Sequence, residues 1–216
     1  HSQFAGFLPA SPGQLSEALR GHDLVVVIGA PVFTFHVEGH ASIFDGATRL
    51  FQITDDPGAA AVTPVGSSII ATMKPALSML LELLPETKRV APLGRKLPPP
   101  PAAADPIPVE FLLHTLSAAV PDDAALVEEV PSHRPAMQQF MPMRGQDSFY
   151  TMASGGLGYS LPASVGMALG RSERRTVCLI GDGSAMYSIQ ALWTAAQRRL
   201  PLTVVVINNA GYGAMR

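Results

Sequence analysis

Apolar and polar positions along this chain follow two rhythms. Residues 13–22 carry Leu15, Ala18 and Leu19 at helical spacing, which predicts a short helix with those three on one face. Leu24–Ile28 is an unbroken aliphatic run closed by Gly29, the pattern of a strand buried on both faces in a parallel sheet. Residues 50–54, bounded by Asp55-Asp56-Pro57-Gly58, and residues 67–71 predict two further strands. Residues 75–84 place Leu77, Leu80, Leu81 and Leu84 at helical spacing. This alternation predicts an α/β layer over residues 1–86.

Proline then interrupts the pattern. Pro85 stops the helix, and Pro92, the run from Pro98 to Pro101, Pro106 and Pro108 follow. Each proline removes an amide donor and fixes φ, so neither helix nor central strand is expected over 87–107, a semi-rigid linker. A second α/β domain is expected over 108–216. Its helices are predicted at Val109–Ala119, 158–170 and 184–198, and its strands at 125–127, 176–180 and Leu202–Ile207. Residues 131–141 read as a loop or short helix. In 184–198, Ile189, Leu192, Trp193 and Ala196 recur as a buried helical face. Glu128-Glu129 is expected to be a solvated strand end, and Asp55-Asp56 a strand-end turn. The expected fold is thus two parallel-sheet, three-layer α/β domains.

Composition narrows the function classes. The chain is 47% hydrophobic and 15% charged, with a formal net charge of -2. That balance gives no basic surface for nucleic acid and no attraction to a membrane. No run approaches the length of a membrane span. One cysteine, Cys178, in an apolar run, excludes a disulfide framework and points to a reducing, cytoplasmic setting. The chain starts at His1-Ser2 and stops at Arg216 within a motif, so a fragment of a longer protein is expected, truncated at both ends.

The candidate chemistry lies between Ile180 and Ala214. In Ile180-Gly181-Asp182-Gly183-Ser184, the glycines permit a tight turn and close approach of a ligand. Ser184 suits an N-cap, and a helix start there would favour a phosphate. The next strand runs into Asn208-Asn209. A strand, a crossover helix and a parallel strand bring both strand ends to one sheet edge. Asp182 and an asparagine can then share one ion; a carboxylate, an amide oxygen and a carbonyl suit magnesium.

These motifs resemble the diphosphate-binding segment of thiamine diphosphate-dependent enzymes, and most of all the benzoylformate decarboxylase branch of the 2-keto acid decarboxylases. The likeness rests on residues 181–196 and on Asn208-Asn209-Ala210-Gly211-Tyr212-Gly213-Ala214. It extends to Gly155-Gly156-Leu157-Gly158 and, more weakly, to Val27-Ile28-Gly29-Ala30-Pro31-Val32-Phe33. The resemblance implies that Asp182, the Asn209 side chain and the Gly211 carbonyl bind Mg. It implies that Gly181, Gly183 and Ser184 hold the diphosphate and that Tyr212, Gly213 and Ala214 pack along the cofactor. Gly155 and Ser132 fall on cofactor-contacting positions, and Leu157 on the bulky residue that props the cofactor in its bent shape. His36 matches an active-site histidine. The implied reaction is non-oxidative decarboxylation of a 2-keto acid to an aldehyde and CO2, in a homo-oligomer, dimer or tetramer, with active sites between subunits.

Two departures accompany the resemblance. The family's activating glutamate comes from an N-terminal pyrimidine-binding domain that these residues do not include, so the fragment alone is expected to be inactive. Pro131 stands in what the family has as a serine- and threonine-rich run near the cofactor, and Thr151 on an aromatic position of the substrate pocket, so aromatic substrate preference does not carry over directly. A carboligase of the acetolactate synthase or benzaldehyde lyase type shares the same cofactor site. A non-catalytic nucleotide-binding α/β module is the remaining alternative, although Gly29-Ala30-Pro31-Val32-Phe33 lacks the dinucleotide glycine spacing.

Overall fold

The computed structural model describes residues 5–9, 11–35, 39, 48–86, 98–152, 155–211 and 213. They gather into two compact units, one drawn from residues 6–92 and the other mainly from residues 93–216. No helix among the described residues is long and apolar enough to cross a membrane.

The first unit runs α1 (Pro12–Leu19), β1 (Leu24–Ile28), β2 (Arg49–Thr54), α2 (Pro57–Ala61), β3 (Ser67–Ile70) and α3 (Met73–Leu83). Its sheet is parallel throughout, in the order β1-β2-β3. Leu15 and Leu19 of α1 are buried as expected, while Ala18 is exposed. Helix α2 departs from the expected turn. The Asp56 carboxylate accepts the amides of Gly58 (2.8 Å) and Ala59 (3.2 Å), and Pro57 stands at N1, so the turn winds into a helix. The expectation that β1 is buried on both faces fails. Leu24, Val26 and Ile28 are 40–46% exposed, with Phe51 and Ile69 open on the same face. Leu81 and Leu84 of the leucine series in and beside α3 are exposed as well.

The second unit runs α4 (Val109–Ala119), β4 (Ala125–Glu129), a 3-10 turn (Pro131–His133), α5 (Arg134–Phe140), β5 (Phe149–Thr151) and α6 (Ser160–Gly170). It continues through β6 (Thr176–Gly181), α7 (Asp182–Ala185), α8 (Ala191–Gln197) and β7 (Leu202–Ile207). The sheet order is β5-β4-β6-β7, all parallel. Because successive side chains leave a strand on opposite faces, β6 serves two cores. Leu179 packs in a cluster with Leu113, Met137 and Phe140 from α4 and α5. Cys178 and Ile180 pack in another with Leu161 of α6 and Ala185 of α7. Strand β6 is covered on both faces, which explains its apolar run from Val177 to Ile180.

The single helix expected over 184–198 is broken. Helix α7 ends at Ala185, turns occupy 186–190, and α8 begins at Ala191. Amides from Met186 to Ser188 and from Ala191 to Trp193 bond three residues back rather than four. This tighter winding carries Tyr187, Ser188 and β-branched Ile189, all weaker helix formers than Ala or Leu. It also disrupts the expected buried face: Ile189, Leu192 and Trp193 are 44%, 36% and 69% exposed.

Candidate cofactor site

In a parallel sheet, every strand delivers its carboxyl end to the same edge. Register places Glu129 opposite Ile180 and Gly181 opposite Ile207. The segments leaving these strand ends therefore converge. After β4 comes the 3-10 turn with Ser132 and His133, after β6 the Asp182 turn, and after β7 the Asn208-Asn209 loop. The loop 155–158 before α6 joins them. Between these segments lies a cavity of about 240 Å³.

Nine of the expected residues line it. Ser132 comes from the 3-10 turn, Gly155 and Leu157 from the loop before α6, and Gly181, Asp182, Gly183 and Ser184 from the end of β6 and α7. Asn209 and Gly211 come from the loop after β7. Gly213 stands beside the cavity: a Cβ built on it would lie 3.1 Å from Ser132 Oγ and 3.2 Å from Asn209 Nδ2. His36, Tyr212 and Ala214 lie outside the described residues.

One local expectation is corrected. Ser184 is not the N-cap. Gly181 takes that position, with φ -74° and ψ 154°, and the helix starts at Asp182. A glycine cap with an acidic residue immediately after it suits a helix start, because the free amides favour negative charge. Ser184 is buried inside the short helix. Its Oγ lies 3.7 Å from where a Cβ on Gly181 would stand, so the turn is closely packed.

The loop after β7 is shaped by its own side chains. Asn208 Oδ1 accepts the Ala210 amide (2.8 Å), and Asn209 Oδ1 accepts the Gly211 amide (3.1 Å). Ala210 is thereby held at φ 54°, a left-handed conformation that disfavours a residue with a Cβ. An amide oxygen has two acceptor directions, so Asn209 retains one beyond its own turn. The cavity thus offers a carboxylate, an amide oxygen and backbone carbonyls. No group of three or more His, Cys, Asp or Glu poised for a metal occurs among the described residues. The hard oxygens present fit an ion that takes few protein ligands and completes its shell from phosphate and water.

Glu128 and Glu129 contradict their expected role. Both are fully buried. Glu129 Oε1 accepts the Gly158 amide and Oε2 the Ser160 amide, each at 2.7 Å. Glu128 accepts the Val130 amide at 3.2 Å, the Thr151 hydroxyl, and Arg134 at 2.8 Å. Paired carboxylates at a strand end read as solvated when most of their partners are distant in sequence; only the fold brings those donors together. His133, which no motif singles out, also lines the cavity, placed there by the 3-10 turn after β4.

Residues 129–216 match the family described as thiamine pyrophosphate enzyme, C-terminal TPP binding domain. The whole chain is similar to benzoylformate decarboxylase of Pseudomonas aeruginosa, with 41% identity over 219 residues and 41% of that protein covered. It is 30% identical, over 90% of its length, to the acetolactate synthase isozyme 1 large subunit of Escherichia coli, covering 36% of that protein. The crystal structure of benzoylformate decarboxylase from Polynucleobacter necessarius matches all of this chain and 41% of its own, with a TM-score of 0.93 at 37% identity. The chain spans about two-fifths of the length of these relatives.

Proposed function

We propose that the chain is part of a thiamine diphosphate-dependent decarboxylase, and that the intact protein decarboxylates a benzoylformate-like 2-keto acid to an aldehyde and CO2, using thiamine diphosphate and Mg. The observation that carries this reading is the convergence of Ser132, Leu157, Asp182, Ser184, Asn209 and Gly211 around one cavity. Asp182, the free acceptor direction of Asn209 and the Gly211 carbonyl would hold the metal. Gly181, Gly183 and Ser184, with Ser132 across the cavity, would hold the diphosphate through amide and hydroxyl donors. Gly155 and Leu157 would meet the ring portion, with Tyr212, Gly213 and Ala214 along its length and His36 near the reacting carbon. The cofactor, when bound, supplies an electron sink for the carbanion left by CO2 loss. The protein's part is to bind it, orient it and exclude water.

The same reading makes residues 1–86 a central domain, 87–107 a linker and 108–216 the cofactor-binding domain of a cytoplasmic homotetramer. Exposed Met186, Tyr187, Ile189, Leu192 and Trp193 support an assembly, since large apolar side chains concentrated within eight residues are candidates for a subunit contact. The test is calorimetric titration of the protein with thiamine diphosphate and Mg, with NAD as control, followed by turnover of benzoylformate. Binding of thiamine diphosphate and CO2 release by the intact protein are expected, with no turnover by the 216-residue chain. Binding of NAD alone would defeat the reading.

A second reading is carboligation of the acetolactate synthase type, favoured by the 30% identity over most of the chain. Formation of a longer hydroxyketone in place of free aldehyde would select it.

A further inference from the structure

Glu129 ends β4 with no exposed surface, and none of the ion pairs among the described residues includes it. Burial of a carboxylate is costly unless hydrogen bonds replace its water. Here two backbone amides do so, each at 2.7 Å: Gly158 to Oε1 and Ser160 to Oε2. Ser160 opens α6, an eleven-residue helix whose first amides have no partner within the helix. The field of that helix end favours an anion.

A local cap could satisfy the start of α6 from the preceding residue. This grip instead comes from a strand 29 and 31 residues earlier, and it reaches past the helix into the loop. The Gly158 amide belongs to the peptide that joins Leu157 to Gly158. Glu129 therefore holds the peptide plane immediately after Leu157, a cavity residue. The path beyond it is fixed too. Gly158 has φ 96°, and a Cβ there would stand 3.0 Å from Tyr187 Cβ, so this point of the loop admits only glycine. Leu157 is thus followed by a peptide held by one hydrogen bond and by a glycine in a left-handed conformation.

We infer that Glu129 is the positioning residue for Leu157: by holding the 157–158 peptide it sets how far Leu157 projects into the cavity, and so the shape of the cofactor resting on it. This rests on the thiamine diphosphate reading. Leu157 concerns the ring portion of the cofactor, whereas the residues after β6 and β7 concern its diphosphate. The two contributions separate with two ligands.

The experiment uses the intact protein, with Kd measured by calorimetry for thiamine diphosphate with Mg and for inorganic diphosphate with Mg. E129Q keeps the shape but presents an NH2 to one of two amide donors. Its affinity for thiamine diphosphate should fall about tenfold, as expected for one lost charge-assisted hydrogen bond, with diphosphate affinity within about twofold of wild type. L157A should show the same pattern, and E129Q/L157A should be no weaker than L157A, since both act through one side chain. Equal loss for the two ligands, no loss, or full additivity would overturn the role. If E129Q does not fold, E129D keeps the charge with a shorter reach and is held to the same comparison. Wild-type protein that binds diphosphate but not thiamine diphosphate would overturn the cofactor reading itself. Wild-type binding with both Glu129 variants unchanged would overturn the positioning role alone.

Discussion

Glu128 and Arg134 form a 2.8 Å ion pair across the turn that joins β4 to α5, with the Glu128 side chain 1% and the Arg134 side chain 34% exposed. The Thr151 hydroxyl donates to the same carboxylate, tying β5 to the turn. Ser132 and His133 lie between the two paired residues in sequence, so the pair closes the turn that carries them to the cavity. Arg134→Ala leaves the carboxylate with only the Val130 amide and the Thr151 hydroxyl. Destabilisation of about 2–3 kcal/mol is expected, below the full cost of breaking a buried pair because Arg134 is partly solvated. Urea unfolding measures it. Adding Glu128→Gln should recover part of the loss; a change under about 0.5 kcal/mol in Arg134→Ala would show that the pair contributes little.

Most of the strands and the Gly181-Asp182-Gly183 turn were legible in sequence because their causes are local. Leu24–Ile28 and Leu202–Ile207 are aliphatic runs bounded by turn residues, and Asp182 sits between glycines at a strand end. Their convergence followed from the parallel crossover. The features that escaped depend on distant partners. Glu129 reads as a solvated charge until Gly158 and Ser160 are brought to it. Strand β5 has three residues and no run of its own; it exists because Leu126 to Glu128 offer it a parallel neighbour. The break between α7 and α8 escaped a 3.6-residue period because apolar spacing does not register three-residue winding. The open face of β1 escaped for a related reason: an aliphatic run records the need for cover, not whether the described residues provide it.

A side chain at Gly213 would crowd two cavity side chains. A methyl group there would meet Ser132 Oγ at 3.1 Å and Asn209 Nδ2 at 3.2 Å, tighter than ordinary contact. Ser132 can rotate away, but only by moving from the place where it would face the diphosphate. Gly213→Ala should therefore leave folding nearly unchanged and weaken thiamine diphosphate binding about tenfold, or about 1.4 kcal/mol. Calorimetry on the intact protein checks this; unchanged affinity would mean that Ser132 does not serve the cofactor.

Among the described residues, Asp182 is the sole carboxylate lining the cavity. If it anchors the metal, cofactor stabilisation of the intact protein should require both Asp182 and the ion. At roughly a hundredfold excess over Kd, a ligand adds about 2.7 kcal/mol to stability. Thermal unfolding should show this gain in wild type with thiamine diphosphate and Mg. It should be lost in Asp182→Asn and on chelation by EDTA. A full thermal shift in EDTA would remove the metal from the binding scheme.

Cys178 is expected to be inert. Burial raises its thiol pKa, partly offset by contacts with Ser164 and Ser160, and nearby Glu129 raises it further. Because the folded value lies above the unfolded one, the thiol's contribution to stability is complete below the unfolded pKa. It is lost as pH rises through the folded value. At neutral pH, iodoacetamide should label native protein far more slowly than urea-unfolded protein. Cys178→Ala should flatten the alkaline limb of the stability profile. Rapid labelling of the native protein would show that the thiol is accessible.

Trp193, 69% exposed, is the largest of five exposed apolar residues over 186–193, with Met186, Tyr187, Ile189 and Leu192. They lie in the turns between α7 and α8 and in the first turn of α8, on segments that follow the Asp182 turn. Residues so placed would couple assembly to the cofactor site: burying them against another subunit would hold the turns over 186–190, where Tyr187 stands beside Gly158. Trp193→Glu in the intact protein would place a charge within that contact, where desolvation without a partner is costly. Light scattering should then show a lower mass at micromolar concentration, together with weaker thiamine diphosphate binding that recovers as protein concentration rises. Unchanged mass would exclude this face from the assembly; reduced mass with unchanged cofactor affinity would break the proposed coupling while keeping the interface.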